Sequence, residues 1–324
     1  MKTINPNPAF GSHLEPFMGL TTFMRLPATH DLEGVDAAIV GVPYDGGTSF
    51  RSGTRFGPRS IREMSLLLWG YNNVLKVAPA EELKIIDYGD VEIIPVDIRK
   101  TMDSITREAA QILANKTMII SMGGDHSISL PLLRAHHTRF GPLAVIHFDS
   151  HPDTWSEEYP GEAYSHGTPF YNALREGLID QEAYVQVGIR GPVSDAGDLP
   201  EARKRGARIF TIDMIFDNGI PEVVKKIRAI IGNRRLYVSL DIDCVDPAFA
   251  PGTGTPEVGG LSSYNILQLV RGLKGLDLIG FDLVEVCPPY DHSSITSILA
   301  ANLVFEFLSL LALKKNQQKV EKEP

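Results

Sequence analysis

His147-Phe148-Asp149-Ser150-His151-Pro152-Asp153 extends the apolar run Leu143 to Ile146, and Ser239-Leu240-Asp241-Ile242-Asp243 closes another, Leu236 to Leu240. Short apolar runs that end in polar residues read as buried strands. In extended backbone alternate residues share a side, so Asp149, His151 and Asp153 are expected to converge, as are Asp241 and Asp243. Pro152 has no N–H and argues against a helix there. A third run, Thr117 to Met122, ends in Gly123-Gly124-Asp125-His126-Ser127. Four carboxylates and two imidazoles gathered at strand ends are too costly without cations between them. Bound metal is the expectation.

Working outward, strands are expected at Asp36–Val42, Lys84–Tyr88, Thr117–Met122, Leu143–Phe148, Tyr184–Gly188, Arg208–Ile212, Arg235–Leu240 and Leu276–Val286. Helices are expected at Ser60–Leu68, Asp97–Ala114, Thr168–Glu176, Pro221–Ile230, Ser262–Leu273 and Ser294–Leu313. In Asp97–Ala114, Met102, Ile105, Ala109, Ile112 and Leu113 fall on one helical stripe. This alternation predicts an α/β fold with a mostly parallel sheet of about eight strands, covered by helices on both faces. Residues 1–30 read as a leader, 31–313 as one catalytic domain, and Lys314–Pro324 as a frayed, charged tail. In open parallel sheets, sites gather beyond the carboxyl ends of the strands. His126, Asp149, His151, Asp153, Asp241, Asp243 and Glu285 all stand there, after four different strands.

Composition narrows the class. The chain has 324 residues, 43% hydrophobic and 22% charged, as expected of a globular protein. Its formal charge of −9 argues against a nucleic-acid surface, which needs a basic patch. No uninterrupted apolar run reaches the ~18 residues of a membrane span. Met1 to His13 lacks the charged-then-apolar pattern of a signal peptide. Cys244 and Cys287 are expected to be reduced and buried, and the expected place is the cytoplasm. A carboxylate-rich site with imidazoles suits Mn²⁺ better than structural Zn²⁺, with Ni²⁺ or another first-row dication as substitutes. Two such ions about 3.5–4 Å apart can share a water and lower its pKa.

Gly-Gly-Asp125-His126-Ser, Phe-Asp149-Ser-His151-Pro-Asp153 and Ser-Leu-Asp241-Ile-Asp243-Cys-Val-Asp246-Pro, in that order, resemble the ureohydrolase family, which includes arginase, agmatinase and the guanidino-acid hydrolases. The match begins near Val40, at Gly-Val-Pro-Tyr-Asp-Gly-Gly-Thr, and runs to the last helix. The resemblance implies a three-layer α/β/α fold, two Mn²⁺ ions per chain, hydrolysis of a guanidinium group to urea and an amine, and a homo-oligomer, trimeric or hexameric. It implies one metal on His126, Asp149, Asp153 and Asp241, and another on His151, Asp149, Asp241 and Asp243. Asp153 would also accept a hydrogen bond from the shared water. Ser150, Pro152 and Cys287 depart from the family's usual Ala, Thr and Ser, and none of these removes a ligand.

Glu285 ends an almost wholly apolar strand, where a carboxylate is expensive unless paired. A planar guanidinium is a bidentate partner, from a substrate or from an internal Arg. His166, in Tyr164-Ser165-His166-Gly167-Thr168-Pro169, is placed over the substrate by the resemblance, as proton donor to the leaving amine. The loop Thr154–Ser165 is expected to line the mouth. Glu157, Glu158 and Glu162 there favour a cationic tail such as that of agmatine, whereas Trp155, Tyr159 and Tyr164 offer faces to an apolar or alkylated guanidine. The expected order is agmatine, then 4-guanidinobutyrate or 3-guanidinopropionate, then an unusual guanidine or biguanide. Two rivals remain: a one-zinc deacetylase, which would not need His126 or Asp243, and a non-catalytic partner subunit, which would have lost ligands. His292, His136 and His137 are expected to be exposed. Asp246 and Glu257 are expected to order the loop Pro247–Gly260, and Gly41–Pro58 to serve packing and subunit contacts.

Overall fold

The computed structural model describes residues 15–320. Its strands are β1 Ala37–Val42, β2 Ile85–Asp90, β3 Met118–Gly123, β4 Leu143–Phe148, β5 Ile179–Ile189, β6 Ala207–Thr211, β7 Arg235–Asp241 and β8 Asp277–Val284. The helices are α1 Gly57–Ser65, α2 Pro79–Glu82, α3 Ile98–Ala114, α4 Ser129–Phe140, α5 Pro169–Arg175, α6 Asp198–Lys204, α7 Ile212–Asn218, α8 Ile220–Ile231, α9 Ser263–Arg271 and α10 Ile295–Val320. All eight strands join one sheet in the order β2-β1-β3-β8-β7-β4-β5-β6, every pair parallel. The expected parallel sheet is therefore the observed one.

Two apolar layers sandwich the sheet. Leu236, Val238 and Leu240 of β7 and Ala144, Ile146 and Phe148 of β4 face the layer of α1, α8, α9 and α10. Val145 and Tyr237 face the opposite layer, with α3, α4 and α5. Along β7 that second face continues through the buried Ser239 to Asp241. Strands buried on both faces are the reason the sequence shows unbroken apolar runs rather than alternation.

Three findings differ from the sequence expectations. The helix α4 lies where none was expected. Pro131 sits in its first turn, where no intrahelical N–H is required, and burial around its first two turns erases the amphipathic stripe. His136, on α4, is fully buried rather than exposed, with Nδ1 2.8 Å from the Leu132 carbonyl. The helix α10 runs on through Val320, because Lys314 pairs with Asp277 and Lys315 reaches Asp36 at 2.7 Å. Residues 1–14 of the expected leader and 321–324 of the tail lie outside the described residues. By length and composition His292–Gln318 would pass for a membrane span, but most of it is buried against the sheet and its neighbouring helices.

Candidate metal centre

The four central strands, β3, β8, β7 and β4, end side by side, and the chain direction across the sheet reverses among them. Such a switch point opens a crevice at the carboxyl edge. His126 follows β3, Asp149 follows β4, Asp241 ends β7 and Glu285 follows β8.

The ligand types converge there, but not through extended backbone. Asp153 adopts a left-handed φ of 47°, and the Asp149 carboxylate accepts the His151 N–H at 2.6 Å. A tight loop thus folds Asp153 back toward Asp149. After β7 the chain enters a 3₁₀ turn, Ile242–Cys244, in which Asp243 N–H donates to Asp241 Oδ1 at 2.8 Å. In each case a carboxylate that binds its own backbone two residues on sets the convergence, and the strand periodicity does not.

The buried His126 Nδ1 makes no hydrogen bond of good geometry, and it stands 3.1, 3.0 and 3.3 Å from oxygens of Asp149, Asp153 and Asp241. His151 Nδ1 lies 3.0 Å from Asp243 Oδ2 and 3.5 Å from Asp149 Oδ1. Asp149 therefore turns one oxygen to each histidine. Burial, then repulsion by Asp149, pushes the Asp153 carboxyl up to about 7. Burial, then repulsion by Asp243 and Asp149, holds the Asp241 carboxyl well above the ordinary carboxylate range. A bare imidazole nitrogen among buried carboxylates that cannot all ionise alone is the donor set of a cation site, and the six residues fit a pair of dications.

His147 was not singled out by the sequence reading. Its Nε2 is 2.7 Å from Asp149 Oδ2, and burial brings its pKa down to about 4, so it is a neutral imidazole that orients the central carboxylate. Its place two residues before Asp149 in an apolar strand was the available signal. Arg190 likewise escaped notice. Its guanidinium caps the carbonyls of Asp243, Cys244 and Glu257, fixing the chain that carries Asp243.

Beside this cluster Glu285 has a left-handed φ of 64°. Its Oε1 accepts the His126 N–H at 2.9 Å and lies 3.0 Å from His166 Nδ1, while Oε2 is buried without a partner. No arginine pairs with it among the described residues. His166 Nε2 is 2.7 Å from Ser49 Oγ and 3.6 Å from Glu158. Burial alone would lower the His166 pKa, but Glu158 and Glu285 on either side hold it well above the ordinary value. Gly41–Pro58 thus contributes directly to the pocket: Gly47 accepts the His166 backbone N–H at 2.9 Å, and Ser49 meets its ring.

The mouth differs from expectation. Tyr164 is not brought to the pocket: its ring lies 4.8 Å from the Arg99 guanidinium and 5.8 Å from that of Arg134, so the protein's own cations occupy it. Trp155 donates to Asp198 at 2.9 Å and packs against Gly167, beside His166. Glu157 and Glu162 are exposed, and only Glu158 turns inward. Asp246 orders its loop by accepting N–H groups of Ala248 and Gly260. Glu257 does more than order that loop: its carboxylate is 3.8 Å from His151 Nε2. Cys244 and Cys287 are buried and unpaired with each other.

This geometry has counterparts among known proteins, and the Arginase family pattern matches residues 35–309. The chain belongs to the arginase family. It is 42% identical over 312 residues to a guanidinopropionase of Pseudomonas aeruginosa, covering 96% of this chain and 98% of that one. It is 41% identical over 315 residues to an agmatinase of Chromobacterium violaceum, covering 94% and 93%. The solved proclavaminate amidino hydrolase of Streptomyces clavuligerus superposes with a TM-score of 0.88 at 43% identity, over 92% of this chain and 99% of that one. This arginase-family chain is accordingly a metal-dependent amidinohydrolase.

Proposed function

We propose that this chain hydrolyses the guanidinium end of a small guanidino compound to urea and an amine, with agmatine as leading substrate and Mn²⁺ as the metal. The observation that carries the reading is Glu285: its buried, partnerless Oε2 sits next to an Oε1 already engaged by His126 N–H and His166. A guanidinium supplies the missing donors and the missing charge. His126, Asp149, Asp153, Asp241, Asp243 and His151 would hold the two cations, Asp149 between them. When bound, the pair supplies Lewis acidity and a water of lowered pKa at neutral pH.

The remaining work falls to the chain's own residues. Glu285 orients the guanidinium and excludes water from its far side. His166, kept charged by Glu158 and Glu285, supplies a proton to the departing amine from a ring whose Nε2 faces Ser49. Ser49 steadies that nitrogen. With Glu158 as its one inward-turned loop carboxylate, the mouth favours a cationic tail. The cytoplasm and a homo-oligomer complete the proposal.

A second reading has its own observation. Arg51 stacks over Tyr290 at 4.7 Å and pairs with no carboxylate among the described residues. Its backbone carbonyl approaches Gly254, which in turn adjoins Glu285 Oε2. A guanidino acid would find there a cation for its carboxylate. Urea release from agmatine, arginine, 4-guanidinobutyrate and 3-guanidinopropionate by the Mn²⁺-loaded chain tests both. Preference for agmatine supports the first reading, and preference for either guanidino acid replaces it with the second.

A further inference from the structure

Ser239 and Asp282 face each other across the β7–β8 pairing, in a buried polar row that continues to Ser121 on one side and to His147 and Gln186 on the other. Asp282 is fully buried, and its two oxygens receive Ser239 Oγ–H at 2.6 Å and Tyr237 O–H at 2.5 Å. Ser239 Oγ is also 2.9 Å from His126 Nε2, with Ser129 Oγ at 3.2 Å. A fold alone has no use for this arrangement, because a buried carboxylate at a sheet face stabilises less than apolar side chains of equal volume.

We propose that Tyr237, Asp282 and Ser239 form a positioning chain that sets the tautomer and aim of His126 toward its metal. Asp282 is an acceptor at both oxygens, so the single Ser239 proton is committed to it. Ser239 Oγ then presents a lone pair to His126, which meets it as Nε2–H. The proton sits on Nε2, and Nδ1 is left bare. That bare nitrogen is the one standing within 3.0 to 3.3 Å of the Asp153, Asp149 and Asp241 oxygens. Partners of this kind on the far ring nitrogen raise ligand basicity and lock ring orientation. Among the described residues His151 has no counterpart of equal closeness: the carboxylate nearest its Nε2 is that of Glu257, at 3.8 Å. The inference rests on the metal-centre reading and is independent of which guanidino compound is cleaved.

The test is Mn²⁺ titration of the full chain, read by electron paramagnetic resonance and by metal content after dialysis. The unaltered chain should take two ions. Asp282→Asn and Ser239→Ala should each weaken one of the two binding steps about 10–100-fold and spare the other. The Ser239→Ala/Asp282→Asn double variant should lose no more than Ser239→Ala alone, because the effect passes through the serine. Tyr237→Phe removes one oxygen with little change of shape, and should weaken the same step by a smaller factor even if Asp282→Asn fails to fold. Unaltered affinities in Tyr237→Phe and Ser239→Ala would overturn the proposal, as would equal weakening of both steps. An unaltered chain that takes no metal would instead overturn the centre itself.

Discussion

His126 and His151 each offer Nδ1 to a group of aspartates, yet their surroundings differ. His126 is 1% exposed, edge-on to Phe170 and His147, with its second nitrogen tied to Ser239. His151 is 16% exposed, sits on a loop after β4, and has Glu257 beyond its second nitrogen. One half of the centre is part of the core and the other part of the rim. The contrast teaches that a binuclear site can tie its inner ligand to the fold while its outer ligand stays nearer solvent.

The largest expected effect removes the contrast altogether. Asp149→Ala takes away the carboxylate that turns an oxygen to each histidine, and metal content and urea release should both vanish. Replacing the histidines one at a time sharpens it. His126→Asn should cost folding stability as well as metal, because the buried ring loses its tie to Ser239 and its packing against Phe170 and His147. Leaving the buried Ser239 hydroxyl without that partner is expected to cost about 1–3 kcal/mol. His151→Asn should cost metal with a smaller drop in thermal midpoint. Equal midpoints for the two variants would erase the core-and-rim distinction.

Next come the residues beside the cluster. Glu285→Ala should lower kcat/KM by about 2–5 kcal/mol, roughly 30-fold to several thousand-fold, mainly through lost guanidinium binding. His166→Asn should lower kcat by about 10²–10⁴-fold while metal content stays at that of the unaltered chain. Unchanged turnover in His166→Asn would remove it from the proton step.

The smallest effect concerns pH. Burial would raise the Glu158 carboxyl, but the hydrogen bond and charge of His166 hold it at about 2, against an ordinary 4.5. A depressed carboxyl contributes stability above its ordinary value and loses it as pH falls toward the depressed one. The unfolding free energy of the unaltered chain should therefore exceed that of Glu158→Gln above pH 4.5, with the difference shrinking toward pH 2 in urea denaturation.

Much of this was readable from the sequence because burial on both sheet faces writes strands as apolar runs, and because ligands at alternate positions stand out against them. Leu143–Phe148 is the clearest case, with observed and expected bounds identical. The loops were harder. The left-handed turn at Asp153 and the 3₁₀ turn at Asp243 produce the convergence that extended backbone was expected to produce. The inward turn of Glu158, the occupation of Tyr164 by Arg99 and Arg134, and the pairing of Ser239 with Asp282 depend on residues distant in the chain, which spacing cannot report. Pro131 hid α4 for a simpler reason: a proline inside the first turn looks like a break.

The most direct test of the central claim is urea release followed as Mn²⁺ is added to chelator-stripped protein, plotted against ions bound per chain. Activity should be absent without metal and should reach its plateau at two ions per chain. Full turnover at one ion per chain, or in excess chelator, would contradict the account.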